Sequence, residues 1–186
     1  MTFQEGLNQL DKTNKIITDA NKLIADVNLN TFLFTLSWWA ALAMLLVPWI
    51  LWAFFRKKES SARLLFAAFI TMIISTTIDG LGVDFGKWAY PVKVIPIPTI
   101  SYSFRYGIVP VAIMFLIQFK PNINPIVKAV LFGGFGAFVG MPIMSILHLY
   151  KKIDWAYTYS FFILVLLYLI AHWFSRRSSF EKIVKE

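Results

Sequence analysis

Cysteine is absent from the 186-residue chain. Disulfides, thiol catalysis and cysteine-ligated metals or clusters are therefore excluded. Charge is scarce, with Asp, Glu, Lys and Arg making up 15% of the residues, and there are only two histidines, His148 and His172. No HExxH motif, nucleophile elbow or phosphate loop occurs. No internal repeat is visible and no long polar linker divides the chain, so one compact domain is expected. A cleavable signal peptide is not expected either. The N-terminus is polar, and the first apolar run is too long for an h-region, so that run should stay as an anchor.

What the chain has instead is apolar length. Hydrophobic residues make up 58% and the mean hydropathy is +0.65, against about 45–50% apolar residues in an ordinary soluble domain. The excess lies in runs of about twenty residues or more, the pattern of helices that cross a bilayer. Aromatics reach 17%, as expected from lipid-facing Phe and interfacial Trp and Tyr. The net charge of +8 does not indicate nucleic acid. The basic residues sit at the ends of apolar runs rather than on one polar face, which is how topology signals are arranged.

Residues 1–30 are polar but patterned. Ile16, Ala20, Leu23 and Val27 recur at helical spacing, with Asp11, Asp19 and Asp26 alternating with Lys12, Lys15 and Lys22 around them. This predicts an amphipathic helix, either lying against the membrane interface or pairing protomers as a short stalk. Five spans follow, at about 31–54, 64–83, 100–119, 126–150 and 155–174. Trp38, Trp39, Trp49 and Trp52 mark the two ends of the first, and Pro48 is expected to kink it. Paired prolines and asparagines in Lys120–Pro125 break the chain between the third and fourth. Gly136 and Gly140 in the fourth make a GxxxG spacing, which predicts close helix packing there, and Pro142 predicts a kink.

Five spans place the termini on opposite sides. Ten basic residues fall on one side: Arg56, Lys57, Lys58, Arg63, Lys120, Lys128, Arg176, Arg177, Lys182 and Lys185. The other side holds eight, several of them far from a span end. This puts the N-terminus outside and the C-terminus in the cytoplasm.

That topology gathers polar groups in the outer half of the bundle: Asp79, Asp84, Arg105, His148 and Asp154, with Tyr90, Tyr102 and Tyr106 in the same layer. Ionisable groups within spans face inward and pair. Asp79 and Arg105 each lie about 6 Å from a span end at 1.5 Å per residue, so they are the expected pair. Such a cluster is either a polar pocket for an ion, headgroup or small solute, or an ion pair that fixes helix register. Between them runs the loop 86–99. Its prolines, Pro91, Pro96 and Pro98, forbid regular helix, and its apolar residues make it too greasy for a free aqueous loop. The expectation is a surface loop anchored by Trp88 and Tyr90, with a lid over the polar cluster as the sharper alternative. His148 and His172 fall at opposite ends and cannot share a metal. Asp79 with Asp84 makes only a weak DxxxxD spacing. No catalytic residue, metal or cofactor is expected.

The run Trp88-Ala89-Tyr90-Pro91-Val92-Lys93, with Pro98, Ser103, Arg105-Tyr106 and Pro110 and then Phe119-Lys120-Pro121, resembles the middle of a group of small multi-span membrane proteins of spore-forming Bacillota. The stretch Lys151–Tyr157 ahead of the last span fits the same resemblance, which covers about residues 64–174. It implies a Gram-positive cytoplasmic membrane and a role in sporulation or the cell envelope. It brings no activity, substrate or catalytic residue.

The sequence therefore predicts an all-α integral membrane helical bundle of five transmembrane helices, preceded by an amphipathic N-terminal helix. Its expected role is non-enzymatic: binding a membrane protein partner, a second copy of itself, or a lipid of the bilayer at the outer face. An oligomeric channel or transporter is the alternative.

Overall fold

The computed structural model describes residues 1–96 and 101–177. The end of the proline-rich loop, Pro98 included, the expected start of the third span at Ile100, and Lys182 and Lys185 lie outside the described residues.

The N-terminal helix α1 spans Phe3–Val27. Thr2 and Glu5 start it with a reciprocal cap. The Glu5 amide donates to the Thr2 hydroxyl at 3.2 Å, and the Thr2 amide donates to the Glu5 carboxylate at 2.7 Å, so two otherwise unpaired amides are satisfied. No residue of α1 is buried. A wide π-helical turn, Asn28–Phe32, continues from it, and Phe34 then breaks the helix at a φ of 61°. The first apolar helix, α2 (Leu36–Phe55), therefore begins at the Thr35 cap and not at Thr31.

Four helical stretches are long and apolar enough to cross a membrane: Leu36–Phe55, Lys58–Asp84, Pro125–Ile146 and Tyr157–Ser175. A fifth, Ser103–Gln118, is apolar but shorter. The second contains α3 (Ser61–Asp84). The shorter one joins a π-helical turn, Ser103–Ile108, to α4 (Val109–Gln118). The stretch 125–146 is α5 (Pro125–Phe135), a π-helical turn at Gly136–Gly140, and α6 (Met141–Ile146). The last is α7 (Tyr157–Ser175). The only strands among the described residues are β1 (Trp88–Ala89) and β2 (Lys151–Lys152), an antiparallel pair with Trp88 opposite Lys152. The stretch that was expected to remain helical to Tyr150 ends at Ile146 instead. His148 adopts a φ of 57°, a left-handed residue of the kind that stops helices.

The outward side chains are apolar along these helices: Leu46, Ile50, Phe69, Ile73, Leu131, Phe135 and Leu166 are all exposed. An apolar band of this kind on a small helical bundle is the surface a bilayer would cover. The inside is held by backbone approach as much as by side chains. Pro48 lies within α2, which continues through it, but Pro48 has no N–H to give the Met44 carbonyl four residues earlier. Gly107 packs against that carbonyl. A Cβ on Gly107 would collide with it and would stand 2.8 Å from the Leu45 Cα. Ser103 donates to the Ala41 carbonyl at 2.7 Å on the same seam. Pro110 likewise leaves the Tyr106 carbonyl without its helical donor, and Trp49 Nε1 donates to it at 2.6 Å.

The GxxxG expectation is half corrected. Gly133 and Gly136 face α7: a Cβ on Gly133 would stand 2.9 Å from the Phe161 carbonyl, and one on Gly136 would stand 2.7 Å from Leu164. Gly140 meets no other helix. The π-helical turn between them takes more residues per turn than an α-helix, so positions four apart no longer share a face.

The end of the bundle away from Asp79 is closed by side chains bonded to backbone. Gln118 accepts from the Lys57 amide at 2.9 Å and donates to the Phe55 carbonyl at 2.8 Å. Lys128 donates to the Leu116 and Phe119 carbonyls at 2.7 and 2.6 Å, capping α4. Arg176 donates to the Pro121 carbonyl at 2.9 Å. These bonds supply partners that helix termini otherwise lack.

Candidate functional site

Asp79 lies about a turn and a half before the end of α3 and is buried. Its Oδ1 accepts from Trp88 Nε1 at 2.8 Å and from the Tyr90 hydroxyl at 2.5 Å, and its Oδ2 accepts from Arg105 Nε. Arg105 reaches it from the π-helical turn before α4 and is 2% exposed. A carboxylate and a guanidinium in such surroundings are tolerable only as a pair with further hydrogen bonds, and both conditions are met.

The loop that follows α3 is what completes this centre. Gly86 turns the chain at a φ of 65°. Trp88 then folds back so that its indole occupies the space where a side chain on Gly82 would stand. Trp88, Tyr90 and Val92 are all buried. The expected surface loop is thus corrected: among its described residues it is a lid, with Trp88 and Tyr90 inserted into the bundle rather than anchored at its rim. The physical reason is that the Asp79 carboxylate needs donors, and the loop carries two. The lid is tied down further by Asn28, which accepts from the Lys93 amide at 2.9 Å, and by Trp38, which donates to the Val94 carbonyl at 3.2 Å.

The other expected members separate from the pair. Asp84 is exposed at the end of α3. Asp154 is exposed and bonds Lys87 at 2.7 Å, and this hydrogen bond and charge hold its carboxyl below the usual range. His148 is exposed where α6 stops. Tyr102 and Tyr106 lie against each other with ring centroids 5.7 Å apart, and Thr76 reaches the Tyr106 hydroxyl at 3.5 Å. The five-residue cluster therefore resolves into a buried pair and three rim residues. Among the described residues no three His, Asp or Glu side chains gather as metal ligands would.

Sequence reasoning missed Tyr150, Trp155, Ser160 and Lys93. Tyr150 was read as the end of a span, yet it is 4% exposed and packs on Tyr90 with centroids 6.0 Å apart. Trp155 stacks edge-on against Trp88 at 4.8 Å and donates to Ser160 at 2.9 Å. Burial raises the Tyr90 phenol well above its usual value, and the Asp79 charge adds to this. Burial, then Tyr157 and Asp79, raise Tyr150 as well. Burial and the Arg105 charge lower the Lys93 ammonium to about 8. The signal for the missed residues was their density: three aromatic residues, Tyr150, Trp155 and Tyr157, crowd the short turn before the last helix.

One hollow adjoins the pair and a second lies beside the first. A small chamber with about 50 Å³ of water-sized space is lined by Asp79, Trp88, Tyr90, Tyr150 and Ser160. A lateral cleft of about 570 Å³, almost wholly apolar, opens beside it between α4 and the α5–α6 stretch. Phe104, Val109, Met141 and Leu164 line both.

No protein-family model, no curated protein and no solved structure matches this chain.

Proposed function

We propose that this is a five-pass integral membrane protein, with its N-terminal helix and Asp79 end outside and its C-terminus in the cytoplasm, which binds a lipid of the bilayer in the lateral cleft without catalysing a reaction. Five passes are supported by the course of Ser103–Gln118, which begins beside Asp79 and ends at Gln118, bonded to the opposite end of α2. The outward N-terminus rests on the loop charges. A bacterial cytoplasmic membrane is the location that the resemblance implies. The sporulation or cell-envelope role it also implied has no support from the comparisons or the structure.

The observation that carries lipid binding is the cleft itself. At the depth of the spans the surrounding solvent is hydrocarbon, and an apolar hollow there is filled by lipid chain or by another helix. The test is native mass spectrometry of protein taken from membranes in mild detergent, comparing wild type with Gly140→Leu. Gly140 lines the cleft, and a Cβ there would meet only the Phe135 carbonyl oxygen, at an ordinary contact distance of 3.7 Å, so the leucine narrows the hollow from a wall that tolerates it. Retained lipid in the wild type and its loss in the variant support the reading; equal lipid in both removes it. Transport through an oligomer is the competing function. Flux of ions or small solutes through the wild type in proteoliposomes, absent from empty vesicles, would install it instead.

A further inference from the structure

We infer that the lipid bound in the cleft is a long-chain lipid alcohol, its uncharged hydroxyl seated in the chamber against Tyr150. This rests on the reading of the cleft as a lipid site and names the class of lipid.

The chamber sets the polar end. The Tyr150 hydroxyl is buried and has no hydrogen-bond partner among the described residues, although buried polar groups are nearly always paired. Tyr150 lines the chamber together with Asp79 and Ser160. A hydroxyl can both donate and accept, so it can serve whichever role Tyr150 leaves open. Phe104, Val109, Met141 and Leu164 line both hollows, so chamber and cleft lie side by side, and a molecule with its chain in the cleft and its polar end in the chamber passes between these side chains.

Charge excludes the commoner lipids. Asp79 and Arg105 already neutralise each other in this space. A phosphate or a carboxylate brought in would be a second buried anion beside the Asp79 carboxylate, a costly arrangement. Size acts in the same direction. One water needs about 10–15 Å³ of such space, so a chamber of about 50 Å³ takes a hydroxyl and its neighbouring carbons but not a phosphodiester headgroup. Phospholipids can lend a chain to the cleft only with the headgroup left at the surface.

The experiment uses the full-length protein in nanodiscs and three photoreactive diazirine probes of equal chain length: a sixteen-carbon alcohol, the matching fatty acid and the matching lysophosphatidylcholine. Crosslinked residues are read by mass spectrometry. The alcohol should label cleft residues such as Ala112 and Met141 several-fold more than either charged probe. Tyr150→Phe should lower its labelling about three- to tenfold, the worth of one hydrogen bond, with thermal stability unchanged because the lost hydroxyl had no partner. Gly140→Leu should abolish labelling by all three. If Gly140→Leu abolishes labelling but the three probes label equally, or Tyr150→Phe has no effect, the alcohol is wrong and the lipid site stands. If Gly140→Leu changes nothing, both fall. A crosslink to a second copy of the chain through the cleft residues would likewise overturn both and make the cleft a protomer interface.

Discussion

Arg105 Nε donates to Asp79 Oδ2 across 26 residues of sequence, from a π-helical turn to a helix interior, with both side chains out of contact with solvent. Truncating either side alone leaves the other charge buried and uncompensated, at a cost of about 3–5 kcal/mol. Asp79→Asn and Arg105→Gln should each destabilise strongly, and the double variant should recover part of the loss. Unfolding in mixed micelles measures all four corners of the cycle. A double variant whose loss equals the sum of the two singles would mean the residues do not depend on each other.

At the opposite end, Gln118 bonds both the last carbonyl of α2 and the amide beyond it. Gln118→Leu keeps the volume and removes both bonds. It should cost about 1–3 kcal/mol, because two backbone groups lose their partner. Hydrogen exchange at Lys57 should quicken while exchange in α7 stays the same. An unchanged rate at Lys57 contradicts the assignment.

Gly107 and Gly140 make a matched pair of substitutions. Gly107→Ala drives a methyl into the α2 backbone, which cannot yield as a side chain would. A loss of about 1–3 kcal/mol is expected from overpacking. Gly140→Ala meets only the Phe135 carbonyl oxygen, at an ordinary contact distance of 3.7 Å, and should be neutral or stabilise by up to about 1 kcal/mol through helix propensity. Melting temperatures in detergent decide it. Equal effects from the two would mean that the close approach of Gly107 to α2 is absent.

Lys93 gives a pH dependence. Its ammonium loses its proton near pH 8 in the folded protein and near 10.5 in the unfolded chain. Between those values the unfolded chain holds the extra proton, so the contribution of Lys93 to stability rises with pH across that window and is flat below it. Wild type should gain stability between pH 7.5 and pH 10 more steeply than Lys93→Met. Parallel profiles in the two proteins would rule out a depressed Lys93.

Much of the fold was legible because a bilayer demands long apolar runs, and those runs stand out whatever the packing inside. The Asp79–Arg105 pair was legible for the same reason: two charges at similar depth have few other partners. The π-helical turns were not, since nothing in Asn28–Phe32, Ser103–Ile108 or Gly136–Gly140 marks them by composition, and the phase change in the last of these misplaced Gly140. The lid was misread because Trp88 and Tyr90 are the residues that also decorate membrane surfaces; what drew them inward was the unmet hydrogen-bonding demand of Asp79, a tertiary fact. Gly107 could have been found through Pro48 and the carbonyl it leaves open, but only once the two segments were known to touch.

The short helical stretch Ser103–Gln118 has a consequence for the surrounding bilayer. At 1.5 Å per residue it reaches about 24 Å at most, less than the hydrocarbon thickness of about 30 Å. The stretches 58–84 and 125–146 are long enough to cross even when tilted. As the proposed fifth pass, the short stretch would give the protein one flank thinner than the rest. Lipid along that flank must compress or the bundle must lean toward it, each at a fraction of a kcal/mol per ångström of mismatch. The protein would thus carry a local dent in the membrane, and thinner bilayers would hold it with less distortion than thicker ones.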